Sequence, residues 1–195
     1  MRCVSASLFW LSLLYDWLPN VNLCDNGACC CFAGSASANF GNDSIEKMPL
    51  EVYLGRAMVV DLSQTFSQSR VKHLITLEDI RPHAEEIGAT SRLLVKTDRW
   101  SDSTVFPEKI PVIAADLPAW LQKNGVRLLG VDLPSMDEID SKSLQNHHAL
   151  ARAGIAIVES LDLSDVASGI YNFAALPLKI AGADGAPVRA ILWRE

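Results

Sequence analysis

His147 and Glu159 are the residues of this chain whose types and spacing best suit chemistry. His147 lies in a helix-like stretch, and Glu159, twelve residues later, ends a run of β-branched apolar residues. An imidazole nitrogen and a carboxylate oxygen together suit zinc or manganese. Two donors are too few to hold a metal alone, and a surface helix residue near a solvated strand end would give the same spacing. The pair therefore indicates a metal site only if other ligands join it.

The other histidines are weaker candidates. His148 follows His147 directly, and consecutive helical residues point about 100° apart. We therefore expect His148 to be exposed and to stay outside any site that includes His147. His73 and His83 lie in polar stretches and are also expected to be exposed.

Asp132 and Trp100 each have a functional and a structural interpretation. Asp132 ends a predicted strand and could orient a ligand or serve as a turn carboxylate. Trp100 lies in a polar loop, where it could stack on an aromatic substrate or pack against the rim of the core. Asp98 and Asp102, in the same loop, are most simply loop-forming side chains.

Strands and helices alternate along most of the chain, and the pattern ends in strand, turn and strand. The predicted strands are 57–62, 91–97, 126–132, 155–159, 169–179 and 188–193, and the predicted helices are 76–87, 117–124 and 143–152. Thr76 is the expected N-cap of the first helix and Gly88 its expected stop. Residues 182–185 are the expected hairpin loop. This order predicts an α/β domain with a mixed sheet.

Composition narrows the class of protein. Apolar residues make up 49% and charged residues 21% of the 195 positions, which is typical of one globular domain. The net charge of -6 argues against nucleic-acid and anionic-membrane partners. Zincin, serine-hydrolase elbow, P-loop and dinucleotide-binding motifs are all absent from the sequence.

The first forty residues differ from the rest. All five cysteines lie within the first 31 positions, and the cysteine-free remainder fits a reducing, cytoplasmic location. Arg2, an apolar run and small residues at 33–38 resemble a secretory signal, which would make the protein secreted. A gene-prediction error, a retained intron or a shifted reading frame would also explain this segment. We therefore divide the chain into an atypical segment, 1–40, and a domain, 41–195.

Several stretches resemble the bacterial-type kynurenine formamidases of the metal-dependent cyclase family. They are 48–55, 125–137, the His147 and Glu159 pair, 175–180 and 186–190, in the family's order. The resemblance implies a single α/β domain of swivelling β/β/α type, a homodimer and a divalent metal, commonly zinc. It implies hydrolysis of N-formylkynurenine to kynurenine and formate in tryptophan breakdown, with metal-activated water attacking the formyl carbon. His147 and Glu159 match the family's downstream metal ligands.

The chain departs from this family just before Phe40. The family motif H-x-G-[TA]-H-x-D-x-P-x-H is expected there, but residues 29–40 read CCCFAGSASANF. Asn39 takes the place of the acid/base histidine, so we assign no catalytic residue, and the substrate-binding residues are unknown. With two of the five usual ligands, we expect no stoichiometric zinc and no formamidase turnover. The alternatives are a non-catalytic structural or regulatory subunit and a secreted binding protein.

Overall fold

The computed structural model describes residues 28–29, 35–37, 44–68, 73–100, 102 and 105–194. These residues form an α/β domain around one large mixed sheet, which confirms the predicted fold class. Its strands are β1 (Ala28–Cys29), β2 (Ser35–Ser37), β3 (Leu54–Asp61), β5 (Arg92–Lys96), β7 (Leu128–Val131), β8 (Ala156–Val158), β9 (Gly169–Ala174), β10 (Gly185–Pro187) and β11 (Ile191–Trp193). Two more strands, β4 (Leu74–Ile75) and β6 (Val112–Ile113), pair with each other in parallel.

The main sheet has a parallel centre and antiparallel flanks. In the described part of the chain the strand order is β1-β11-β9-β3-β5-β7-β8-β2-β10. β3, β5, β7 and β8 run parallel, so their carboxyl ends meet at one edge. β9 and β11 pair antiparallel, and the bridge between Pro177 and Val188 continues their register toward the predicted hairpin loop. The edge where the parallel strands end is where loops can assemble a site.

Five α-helices connect the strands within the described ranges. They are α1 (Ser63–Gln68), α2 (Leu77–Ile80), α3 (Ala84–Thr90), α4 (Leu117–Lys123) and α5 (Gln145–Arg152). Short 3-10 segments span Ile45–Lys47, Leu50–Val52 and Arg81–His83. Thr76 precedes α2 as predicted, and its N–H donates to Asp79 Oδ2 at 2.8 Å.

The predicted helix stop at Gly88 is wrong. α3 continues through Thr90, and Ser91 ends it with a left-handed φ of 58°. The reason is tertiary packing: Ile87 and Thr90 are both buried, and this burial outweighs the roughly 1 kcal/mol that glycine costs inside a helix. The Thr90 hydroxyl also donates to the carbonyl oxygen of Glu86 at 2.9 Å, which holds the last turn.

Hydrophobic residues fill both faces of the sheet. Along β3 and β5 the side chains alternate, so that Val59 and Leu94 join one core cluster and Met58 and Leu93 the other. Every α-helix adds to the second cluster, with Phe66, Ile80, Ile87, Leu117, Leu121 and Leu150. This two-sided burial explains why the central strands are continuous apolar runs in the sequence. Within the described ranges, no helix has the length and apolar character needed to cross a membrane.

Candidate functional site

The loop after β7 determines where α5 begins. Leu144 precedes the helix in a left-handed conformation and offers no side-chain cap. The carboxylate of Asp137 takes over that role, because it accepts the backbone N–H groups of Asn146 at 2.9 Å and His147 at 3.1 Å. These bonds satisfy donors that a helix start leaves without partners. They also fix the position of His147 on the first turn of α5.

The ring of His147 lies between two buried carboxylates. Nδ1 is 2.7 Å from Asp137 Oδ2, and Nε2 is 3.1 Å from Glu159 Oε1. Asp137 and Glu159 are each 4% exposed and His147 is 8% exposed. Burial alone lowers the pKa of His147, but the hydrogen bonds and charges of Glu159 and then Asp137 outweigh it and raise the pKa to about 9. In the absence of a metal, the two carboxylates thus favour the protonated form of the ring.

Glu159 is held at the end of β8. Its Oε1 accepts the backbone N–H of Met136 at 2.8 Å, in addition to its contact with His147. The next residue, Ser160, has a left-handed φ of 61°, and its N–H donates to the Leu133 carbonyl at 2.8 Å. These bonds tie the end of β8 to the loop after β7. The structure thus brings His147 and Glu159 together, as their chemistry requires, while their role as metal ligands stays a prediction.

Asp137 belongs to this site, although the sequence singled it out only as part of the stretch that resembles the family. One signal was present: its carboxylate lies between a predicted strand and the next predicted helix. That signal is weak, because an N-cap ordinarily comes from the residue next to the helix rather than from one several positions away.

Asp132 orders the loop that follows β5. It accepts the Thr97 N–H and the Thr97 hydroxyl, both at 2.7 Å, and the Asp98 N–H at 2.8 Å. Asp98 takes a left-handed φ of 52° in this turn. The contacts of Asp132 therefore favour the interpretation as a turn carboxylate over that as a ligand-orienting one.

Replacing Asp132 with asparagine is expected to change how stability depends on pH. Burial raises the pKa of Asp132 from 3.8 to about 6, and it outweighs the hydrogen bonds from Thr97 and Asp98. The folded chain then binds this proton more tightly than the unfolded chain, so the group's contribution is full below about pH 4 and is lost as the pH rises through about 6. Denaturant unfolding from about pH 4 to 7 should show the unmodified chain losing up to about 3 kcal/mol relative to Asp132→Asn. A difference that stays constant or reverses over this range would contradict the assignment.

The remaining candidates from the sequence are His73, His83, His148 and Trp100. His148 and His73 are exposed as expected, but His83 is half-buried, because it closes the 3-10 turn packed between α2 and α3. Trp100 is half-buried and contacts residues of its own loop. Its Nε1 donates to the Val105 carbonyl at 2.9 Å, and its ring meets Phe106 edge-on with centroids 6.4 Å apart.

A divalent metal fits part of this arrangement. His147 Nε2 and Glu159 Oε1 are a nitrogen and an oxygen donor of the kind zinc takes. Among the described residues, however, no three or more His, Cys, Asp or Glu side chains gather where they could hold a metal. The described residues therefore bring together two donors of the kind that zinc takes, but not a complete coordination shell.

The pairing of β2 places this part of the chain, which precedes Gly41, beside β8, the strand that Glu159 follows. β2 pairs antiparallel with β8, with Ala36 opposite Val158. Position 35 is the first residue of β2, and Glu159 follows the last residue of β8. Because the two strands run antiparallel, the start of β2 and the end of β8 lie at the same end of this pair.

Comparison with known proteins identifies the family. The family model Cyclase, described as "Putative cyclase", matches residues 31–138, more than half of the chain. The chain belongs to the cyclase family. A kynurenine formamidase from Geobacillus thermodenitrificans is 42% identical over 159 residues, which cover 80% of this chain and 72% of that protein. A kynurenine formamidase from Bacillus cereus is 40% identical over the same shares of both chains. These relatives confirm the resemblance stated from the sequence.

Solved structures of the cyclase family agree with this fold. A predicted metal-dependent hydrolase from Bacillus stearothermophilus is 26% identical, with a TM-score of 0.66 over 87% of this chain and 77% of that one. A second structure, described as a potential metal-dependent hydrolase with cyclase activity, is also 26% identical, with a TM-score of 0.65. Both neighbours are thus named for metal-dependent hydrolysis, which supports a divalent metal in this group of proteins.

Proposed function

We propose that this chain carries the site of an amide hydrolase of the kynurenine formamidase type, which releases formate from N-formylkynurenine. The observation that carries the proposal is the buried contact of 3.1 Å between His147 Nε2 and Glu159 Oε1 at the carboxyl end of β8. Relatives named kynurenine formamidase, at 42% and 40% identity, support the choice of substrate. We further propose that the protein is a cytoplasmic homodimer.

Zinc is the metal that we propose for this site, with His147 and Glu159 among its ligands. When bound, such an ion supplies an activated water and polarises the carbonyl oxygen of the amide. The chain's own residues do the positioning. Asp137 holds the imidazole through Nδ1, and the Met136 N–H holds the carboxylate of Glu159. The burial of all three acid and imidazole side chains keeps these contacts away from bulk water.

The chain as written lacks the rest of this machinery, and we propose that its activity is impaired. Ending the family motif at Asn39 puts Cys29 and Ala33 where the motif has metal-binding histidines, and Ser35 where it has aspartate. The pairing of Ala36 with Val158 supports this alignment, because it brings the start of β2 to the end of β8, which Glu159 follows. Asn39 cannot take up a proton near neutral pH as imidazole can.

Grafting the motif onto residues 29–39 tests the proposal. The grafted chain carries Cys29→His, Ala33→His, Ser35→Asp and Asn39→His, with the motif's Gly, Thr and Pro at 31, 32 and 37. We expect it to release formate from N-formylkynurenine in the presence of zinc, whereas the chain as written does not. Turnover by the unmodified chain would contradict the proposed impairment. A folded, zinc-loaded graft that leaves N-formylkynurenine intact would contradict the proposed substrate.

A second candidate function is a non-catalytic subunit that assembles with an active homologue. The amide of Asn39 in the acid/base position favours it, since that change alone removes proton transfer. Mixing the chain with an active kynurenine formamidase should then give a mixed dimer with altered turnover. Two separate species with unchanged turnover would exclude this function.

A further inference from the structure

Asp137 makes more polar contacts than Glu159, the other carboxylate beside His147. Its Oδ1 accepts the Asn146 N–H at 2.9 Å, while its Oδ2 accepts both the His147 N–H at 3.1 Å and the ring nitrogen Nδ1 at 2.7 Å. The side chain is 4% exposed, so water does not compete freely for these oxygens. The N-terminus of α5 therefore fixes the carboxylate, and the carboxylate in turn fixes the ring.

The two ring nitrogens of His147 meet unequal acceptors. The contact of Nδ1 with Asp137 is 2.7 Å, whereas Nε2 lies 3.1 Å from Glu159 Oε1. That oxygen of Glu159 already accepts the Met136 N–H at 2.8 Å. In a neutral imidazole, the hydrogen bond made by one nitrogen decides which nitrogen keeps the proton. Asp137 Oδ2 likewise accepts one backbone N–H, that of His147, so sharing does not distinguish the two acceptors. The distance does, and the shorter contact is the one to Asp137.

We propose that Asp137 is a positioning residue that keeps the single proton of neutral His147 on Nδ1 and leaves the lone pair of Nε2 directed at Glu159. Ligating histidines in metal sites commonly donate their other ring N–H to a carboxylate in this way. The usefulness of the Nε2 lone pair rests on the proposed function. The tautomer itself does not, because it is a property of the chain as written.

The structure also shows why asparagine cannot replace Asp137. A carboxylate offers two acceptor oxygens, and Asp137 uses one for α5 and the other for the backbone and ring of His147. An amide offers one acceptor oxygen and a donor group. Asp137→Asn therefore loses either the helix cap or the acceptor for Nδ1. If the amide N–H faces the ring, it donates to Nδ1 and moves the ring proton to Nε2.

Nitrogen-15 NMR of histidine-labelled protein tests this proposal. The chain has four histidines, and His147 is assigned by the signal lost in His147→Gln. Spectra are recorded at a pH high enough for the ring to be neutral. We expect a protonated Nδ1 and an unprotonated Nε2 in the unmodified chain. Asp137→Asn should move the proton to Nε2 or mix the tautomers, whereas Asp140→Asn, at an exposed carboxylate in the same loop, should change nothing.

Two results would overturn the positioning role. One is a proton on Nε2 in the unmodified chain, which needs no variant and so decides the matter even if Asp137→Asn fails to fold. The other is an unchanged Nδ1 proton in a folded Asp137→Asn chain, which would make Asp137 only a helix cap. If the tautomer is as expected but the motif-grafted chain shows no turnover, the proposed function fails and the role of Asp137 stands.

Discussion

Replacing His147 with alanine in the motif-grafted chain is expected to weaken zinc binding more than about 100-fold and to abolish formate release. Changes to residues that merely support a ligand cost 10–100-fold in metal affinity, and removing a ligand costs more. The change also leaves the buried carboxylates of Asp137 and Glu159 without the imidazole that separates them. Zinc retention after dialysis and formate release from N-formylkynurenine measure the two effects.

His148→Ala is the matched control for this prediction. His148 is the next residue on α5, but its side chain is exposed. Both variants remove one imidazole from the same helix, so any general effect on α5 should be shared. We expect His148→Ala to keep its zinc and its turnover. Retained turnover in His147→Ala, or equal losses in both variants, would mean that His147 is not a ligand.

Arg92→Met is expected to lower the free energy of unfolding by about 3–5 kcal/mol, the largest loss of stability among the proposed substitutions. Arg92 is 8% exposed, and its Nε donates to the Val52 carbonyl at 2.8 Å. Its terminal nitrogens donate to the carbonyl oxygens of Glu51, Arg56 and Thr90. Methionine keeps much of the volume but leaves these partly buried acceptors without their donors. The guanidinium joins β3, β5 and the 3-10 turn at Leu50–Val52, so its loss loosens all three.

Denaturant unfolding compares this variant with Arg127→Met. Arg127 immediately precedes Leu128, the residue of β7 that pairs with Arg92, and its side chain is exposed. We expect Arg127→Met to change the free energy of unfolding by less than about 0.5 kcal/mol. A loss of under about 1 kcal/mol in Arg92→Met would show that the carbonyl oxygens find other donors.

The backbone of Gly55 lies directly beside the guanidinium of Arg92. Its φ is 136°, and a Cβ built there would lie 2.7 Å from Arg92 Nη1. Glycine at this position therefore allows the strand backbone to pass beside the guanidinium. The sequence contains Gly55 in the stretch that leads into β3, but nothing in the local pattern connects it to an arginine 37 positions later.

Short sequence patterns predicted most of the strands and helices, because the apolar residues that favour each of them are also the ones it packs into the core. The apolar run before Asp61 becomes β3, and the glycines at 125 and 154 come just after α4 and α5 with positive φ, as is common at helix ends. The end of α3 was missed because packing of Ile87 and Thr90, rather than Gly88, decides it. Packing between distant segments is not visible in a local window.

The candidate site, like the fold, was only partly predictable from the sequence. His147 and Glu159 could be chosen from their chemistry and from family resemblance, and the structure brings them within 3.1 Å. Asp137 could not, because its role depends on a loop folding back onto the first turn of α5. The pairing of β2 with β8 and β10 is also long-range. It connects the atypical early segment to the end of β8, which Glu159 follows.

Metal analysis of the purified chain as written tests the central claim most directly. The proposal is that His147 and Glu159 are two of the five ligands of a metal site, and that residues 29–39 lack the motif that supplies the others. After purification with zinc present and exhaustive dialysis, we predict far less than one zinc per chain, and stoichiometric zinc only after the motif is grafted onto residues 29–39. One or two zinc ions retained by each unmodified chain would contradict the claim.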